Sequence, residues 1–429
     1  MQSTLNRSKA PFTNPVPNID VQQAKKYTLD NGIDVYAITA GFQDLAKIEI
    51  LFDNKLFDPT KPLNDSATNR LLQEGTKLYT AQQLADLVDY YGAFLETDEN
   101  FDFCSVNVYT LNKYIEQVLP YVADMLLDPI FPQKELDVYI QNFKQRIAID
   151  NEKVASLARR NFNKVIFGEQ HPYGYYTDAV DYDRLKRDDL VNFHPKKYDP
   201  ANCTIIISGL VTNDTVNLLN KFFGKNTSKF SNGVERKIIP FEPSQEKKIY
   251  IEKEGAIQSA IRIGMPFFNR CHADYPGMAV VNTLLGGYFG SRLMSNIREE
   301  KGYTYGIGSA IVSMKQEGYL FISTEVGADV TNNAIQEIYA EVERLKNEIV
   351  EKDELEMVRN YMLGTFLKGI DGAFQLAERF KSIYFSGLDY DYYTRYVEKL
   401  RTIEPDEILS LARNYFDATR FYEIVVGSK

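Results

Sequence analysis

The sequence predicts an α+β protein built from two similar halves, and three observations carry that prediction. At 429 residues the chain is too long for one compact core, so two domains or more are expected. Strand and hairpin signals are mixed with long helical stretches in both halves. The order of these segments also repeats. Lys134-Glu135-Leu136 opens one long helical stretch and Asp353-Glu354-Leu355 opens another, with Glu135 and Glu354 219 positions apart. Ile205-Ile206-Ile207-Ser208-Gly209 reads as a buried strand ending in Gly, and Glu423-Ile424-Val425-Val426-Gly427 does the same 218 positions later. Between these anchors, Ser156-Leu157-Ala158-Arg159-Arg160 and Gln375-Leu376-Ala377-Glu378-Arg379 form a second matched pair. Such a repeat implies duplicated domains. The expected division is 20–228 and 247–429, with 229–246 as linker, because the stretch from Asn226 to Glu246 is polar and lacks helical period.

The individual elements follow from local chemistry. Tyr27–Asp30 and Asp34–Ile38 flank Asn31-Gly32, a strong hairpin signal. Thr80 and Gln83 have the spacing of a capping box. The helix they open carries Leu84, Leu87, Val88 and Tyr91 on one stripe and stops at Gly92. Pro120 falls inside a helical stretch, where a kink or break is expected. In the second half Ile335, Ile338, Tyr339, Val342 and Leu345 form an equivalent stripe. Tyr305–Met314 and Tyr319–Val326 read as a hairpin around Lys315-Gln316-Glu317-Gly318. The 29 Tyr and 26 Phe are assigned mostly to core and groove lining.

Composition narrows the function classes. A formal charge of −10 argues against nucleic acid or an anionic membrane as partner. No apolar run reaches the length of a membrane span, and the N-terminus has no hydrophobic signal region. Cys104, Cys203 and Cys271 are isolated and odd in number, so no disulfide framework is expected. The cytoplasm is the expected compartment.

The most informative stretch runs from Gly286 to Tyr305. Gly286-Gly287-Tyr288-Phe289-Gly290 is a Gly-rich loop that enters a short helix, with Ser291 placed as N-cap and Gly302 as C-terminal stop. Leu293 and Ile297 share one face, which delivers Arg298 to the last turn, and the next strand begins at Tyr303–Tyr305. Arg298 offers a rigid fork of donors and Tyr305 one phenolic donor. Together they could hold a peptide carbonyl and the charge that develops on it during hydrolysis. The string resembles the C-terminal-domain signature of the pitrilysin family of zinc peptidases (M16), in which an Arg and a Tyr seven residues later complete a zinc site. The resemblance covers about residues 20–429. It implies two similar antiparallel-sheet domains with helices packed on one face, the LuxS/MPP-like metallohydrolase fold. It also implies that Gly286, Gly287 and Gly290 border the substrate backbone.

The family draws its metal ligands from an inverted His-x-x-Glu-His on an N-terminal-half helix and from a later Glu. Counting back from the landmark Glu74-Gly75-Thr76, that motif corresponds to Ser66-Ala67-Thr68-Asn69-Arg70. Both His positions, Ser66 and Arg70, and the general-base position, Asn69, have lost their chemistry. The third ligand position falls near Arg146, where no carboxylate stands. Arg70 and Arg146 would repel a dication. His171, His194 and His272 lie in no ligand spacing and are expected to be structural. Ser291 and Ser295 have no His in the same motif, so an independent hydrolase is a poor reading.

The resemblance therefore implies a non-catalytic subunit with no cofactor of its own. Arg298 and Tyr305 would complete the active site of a similar, zinc-bearing chain with an intact His-x-x-Glu-His, and the pair would enclose peptide substrates. In isolation a homodimer is a possible form. The rival reading is an inert structural or interaction protein of the same fold, like the core subunits of respiratory complexes.

Overall fold

The structure is a computed structural model that describes residues 19–225 and 239–428. Its first sheet is built from β1 (Lys25–Thr28), β2 (Asp34–Thr39), β3 (Leu45–Asp53), β4 (Phe94–Glu99), β5 (Phe103–Leu111) and β6 (Cys203–Gly209). The strands lie in the order β1-β2-β6-β3-β5-β4. The second sheet contains β7 (Lys248–Glu252), β8 (Gln258–Phe267), β9 (Thr304–Ser313), β10 (Gly318–Gly327) and β11 (Tyr422–Gly427), in the order β7-β11-β8-β10-β9. Leaving out β1, which makes the expected hairpin with β2, the two orders match strand for strand. Each sheet is antiparallel except at one pair, β2 with β6 and β7 with β11, which run parallel. In both cases the last strand of the half enters beside the first of the five equivalent strands.

Each half packs its own helices on one face of its sheet, as expected. In the first half Ile48, Ile50, Val106 and Val108 form a core with Ile115, Val118 and Leu119 of the Ile115–Leu127 helix. The opposite faces are covered reciprocally. The Val154–Phe167 helix leaves the first half and lays Ala158, Phe162 and Ile166 against Ala260, Ile424 and Val426 of the second sheet. The Ala373–Phe385 helix returns the exchange: Phe380 and Tyr384 lie 4.6 and 5.2 Å from Tyr36 of β2 by ring centroids. These are the helices that carry the matched motifs at 156–160 and 375–379. With both faces covered, Ile205, Ile206 and Ile207 of β6 are all fully buried, so the strand reads as a continuous apolar run.

The capping box forms as its spacing predicts. The Thr80 hydroxyl accepts from the Gln83 N–H at 3.3 Å, and the Gln83 side chain accepts from the Thr80 N–H at 2.9 Å. Pro120, by contrast, does not break its helix, which runs unbroken from Ile115 to Leu127. Val118, Leu119 and Val122 around it are fully buried, and this packing holds the segment helical despite the missing donor. The division at 20–228, 229–246 and 247–429 we retain as a proposal; residues 226–238 lie outside the described residues. Among the described residues no helix is long and apolar enough to cross a membrane.

Candidate functional site

The segment that carries Arg298 is wound more loosely than an ordinary helix. Thr283–Gly287 and Met294–Glu300 are both π-helical turns, a geometry often found at functional sites. Leu293 and Ile297 are fully buried, as their spacing predicts. Gly302 ends the segment with φ +66°, and the N–H groups of Lys301 and Tyr303 return to the carbonyls of Asn296 and Ile297 at 2.9 and 3.0 Å. Ser291 is not the cap the sequence suggests: its hydroxyl is buried and has no hydrogen-bond partner among the described residues.

The stretch holds two arginines in opposite situations. Arg292 is buried and donates to both carboxylate oxygens of Glu354, Nε to Oε1 at 2.9 Å and Nη2 to Oε2 at 2.8 Å. Arg298 is half-buried and makes no ion pair among the described residues. Its guanidinium lies over the rings of Phe289 and Tyr305, 4.7 and 5.6 Å from their centroids. Phe289 is 62% exposed and Tyr305 93% exposed. The rings fix the guanidinium plane by cation–π contact while its donors remain uncommitted. The structure thus brings Arg298 and Tyr305 together and adds Phe289, which the sequence reading missed.

The glycines of the loop divide. Gly287 and Gly290 are exposed, but Gly286 is buried. A Cβ at Gly286 would stand 2.6 Å from the backbone nitrogen of Ser309 on β9. Close packing of the loop on β9 accounts for Gly286.

Ser66, Asn69 and Arg70, the positions aligned above with a metal motif, lie on the Asn64–Leu71 helix, with Arg146 on the Gln133–Glu152 helix. Ser66 and Arg146 line one cavity of about 560 Å³, walled by rings including Phe57, Phe101, Tyr139 and Tyr175. Arg70 is exposed and outside that lining. Asn69 is buried: its amide donates to the Asp98 carbonyl at 2.9 Å and accepts from the Tyr198 hydroxyl at 3.0 Å. Beside it stands Lys197, fully buried, pairing with Asp65 at 2.7 Å and donating to the Asp53 carbonyl at 3.2 Å. Glu99 opens onto the same cavity with its side chain partly in solvent; the protein packed around its carboxyl, with Asp65 adding repulsion, pushes it up to about 7. These residues do not fit zinc. One acid is committed to a buried ammonium, the general-base position is a hydrogen-bonded amide, and two cations occupy ligand positions. Among the described residues no group of three His, Cys, Asp or Glu could hold a metal ion.

The histidines are occupied locally. His171 Nδ1 accepts from the Tyr173 N–H at 3.1 Å, and burial lowers its pKa. His194 Nε2 lies 2.9 Å from the Leu126 carbonyl, and His272 stacks on Phe268 at 4.0 Å.

Comparison with known proteins agrees with this geometry. Residues 184–362 match the family described as Peptidase M16 inactive domain. The chain is similar to the uncharacterized zinc protease YmxG of Bacillus subtilis, at 22% identity over 352 residues, 81% of this chain and 84% of that protein. It is also similar to the non-peptidase homolog YmxG of Helicobacter pylori, at 23% identity over 308 residues, 69% of this chain and 68% of that protein. A crystal structure of a peptidase M16 inactive domain from Pseudomonas fluorescens shares the fold, with a TM-score of 0.84 at 19% identity over 95% of this chain and 99% of that one. The chain is thus similar to M16 peptidases and to their inactive homologues, with the family match confined to residues 184–362 and the two-domain fold shared over nearly its whole length.

Proposed function

We propose that this protein is the non-catalytic subunit of a heteromeric M16-type peptidase, supplying Arg298 and Tyr305 to the active site of a zinc-bearing partner. The observation that carries this reading is the exposed pair itself. Arg298 is held between two rings, is not neutralised by any acid among the described residues, and stands beside an almost fully exposed phenol. Both groups can donate to a carbonyl oxygen that gains negative charge in the transition state. Zinc and its activated water would come from the partner's His-x-x-Glu-His, and the substrate would be a peptide enclosed between the chains. The three free thiols, Cys104, Cys203 and Cys271, support a reducing compartment, and we place the pair in the cytoplasm.

The test begins with affinity purification of the tagged full chain from its native cells and identification of a co-purifying chain with His-x-x-Glu-His. The reconstituted pair should hydrolyse peptides. Arg298→Ala and Tyr305→Phe should each lower turnover by roughly 10²–10³, the usual effect of removing one oxyanion donor, with assembly intact. Wild-type turnover in both variants would remove the trans-acting role and leave an inert interaction protein.

A further inference from the structure

The second half contains a cavity of about 600 Å³ where the Val154–Phe167 helix crosses β8 and β10, with Tyr305 on its border. We propose that this cavity binds the carboxylate of a peptide through Arg159, Arg262 and the first turn of the helix that carries Arg159.

Arg262 projects from β8, where its register partners are Ser323 on β10 and Ile424 on β11. Its guanidinium is packed between the rings of Phe162 and Phe321, 5.2 and 4.0 Å from their centroids. The residue is only 8% exposed, and its Nε–H has no hydrogen-bond partner among the described residues. Arg159 lines the same cavity, and among the described residues neither guanidinium is paired with a carboxylate. Burial, opposed by the neighbouring Tyr319 hydroxyl and aided by the Arg159 charge, lowers the Arg262 pKa to about 10, so the side chain still carries its charge at neutral pH. A buried guanidinium without an anion is an unfavourable arrangement that a bound carboxylate relieves, by charge-assisted and potentially bidentate hydrogen bonds.

The helix adds a second, independent contribution. It has 14 residues, Lys153 at its N-cap makes no side-chain capping bond, and Ala155 and Ser156 line the cavity. Its first N–H groups and the positive end of its dipole therefore border the same space as the two arginines. The charge balance favours a monoanion. Two guanidiniums line the cavity with one carboxylate, the exposed Glu325, and Asp150 acts on Arg159 from outside the lining, so no more than a single positive charge is left to be matched. A phosphate dianion would meet Glu325 as a repulsive neighbour. Choosing a peptide as the source of the carboxylate rests on the proposed function; the anion site rests on the residues alone.

The test uses the isolated full chain, immobilised, with no partner, metal or turnover, so its outcome is independent of the trans-acting role. The probe is a pool of N-acetylated octapeptides, half ending in a carboxylate and half in a carboxamide. A second, fully amidated pool carries a single Asp or Glu. Bound peptides are counted by mass spectrometry. Carboxylate-bearing peptides should be recovered in at least about tenfold excess, the effect of one charge-assisted hydrogen bond. An excess in the first pool assigns the site to the peptide C-terminus, and an excess of acidic peptides in the second assigns it to a side chain; either supports the proposal. Arg262→Leu should abolish the excess. Arg159→Ala, at an exposed position that the fold tolerates, should reduce it several-fold. Equal recovery of charged and amidated peptides, an excess unchanged by both substitutions, or binding of inorganic phosphate with no peptide excess would each overturn the proposal.

Discussion

Replacing Lys381 by Met tests how the two halves are fastened together. Lys381, on the Ala373–Phe385 helix, sits 2.8 Å from Glu49 of β3 and 2.8 Å from Glu378 on its own helix. Lys47 of β3 closes the ring, 3.0 Å from Glu49 and 3.1 Å from Glu378. Charges alternate around it. Glu49 is fully buried and Lys47 is 6% exposed, and Glu49 Oε2 has no hydrogen-bond partner among the described residues, so the two ammonium groups supply its stabilisation. Burial works against the charge on Lys47, yet Glu49 and Glu378 outweigh it and raise its pKa. Burial likewise opposes ionisation of Glu378, and Lys381 and Lys47 nonetheless hold its carboxyl below the usual range. Met keeps most of the aliphatic stem, so the loss is electrostatic. Stripping one partner from a buried pair costs about 3–5 kcal/mol. Lys47 remains and Glu378 is half in solvent, so about 2–4 kcal/mol is expected here. Native-state hydrogen exchange at β3 and the Ala373–Phe385 helix measures this directly, without assuming two-state unfolding of the whole chain. The double change Glu49→Leu with Lys381→Met should lose clearly less than the sum of the single changes, because no buried charge is left unmatched. The Glu378 contribution should be present above the ordinary carboxylate pKa of about 4.3 and fade as pH falls through its lowered folded value. A loss below about 0.5 kcal/mol, or strict additivity in the double variant, would refute the ring as the fastening.

Three further outcomes are expected. Arg292→Gln should destabilise the second half by about 3 kcal/mol because it strands Glu354, whereas Arg298→Gln should change stability by less than about 0.5 kcal/mol; thermal denaturation of the two variants separates structure from function, and equal losses would contradict the contrast. Glu99, raised to about 7 by the protein packed around its carboxyl and by Asp65, takes up its proton more readily in the folded chain than in the unfolded one. Its contribution to stability is therefore full below about 4.3 and lost as pH rises towards 7; solvent at the exposed side chain screens the effect, so Glu99→Gln should be slightly more stable than wild type at pH 8 and indistinguishable at pH 4, as read from urea midpoints. Metal analysis of the purified chain should find no stoichiometric zinc, and dialysis against a chelator should leave the melting temperature unchanged; one retained zinc per chain would show that another donor set exists.

The parts of the fold that were legible in the sequence are those fixed by short-range chemistry. Thr80 with Gln83, the Asn31-Gly32 hairpin and the apolar run at 205–207 each state their own structure. The exchange of helices was not legible. The matched motifs at 156–160 and 375–379 mark two equivalent segments, but a local motif does not say which sheet receives them. The π-turns around Arg298 were hidden for a related reason, since Leu293 and Ile297 at i and i+4 satisfy an ordinary helix equally well. Ser291 had the residue type of a cap, but its position in a buried segment decided otherwise. Lys197 near a helix end reads as a solvated charge. Its burial depends on Asp65 and on the Asp53 carbonyl, both remote in sequence. The second half of the candidate site was found because its residues are contiguous; the first was found only as a loss.

The contrast between Arg292 and Arg298 bears on function more directly than the missing ligands do. Residues without zinc chemistry at Ser66, Asn69 and Arg70 are what an inert copy would carry, and the buried Lys197–Asp65 pair is ordinary structural chemistry. Inertness offers no comparable account of the second half. Two arginines stand in one short segment, and the fold neutralises and buries the first while the second is left with free donors against two exposed rings. Exposed aromatic rings and an unpaired guanidinium contribute little to stability, and Phe289 and Tyr305 would be better covered or replaced in a pure scaffold. The arrangement is explained if a second surface meets it, with a carbonyl group brought to Arg298 and Tyr305 from outside the chain.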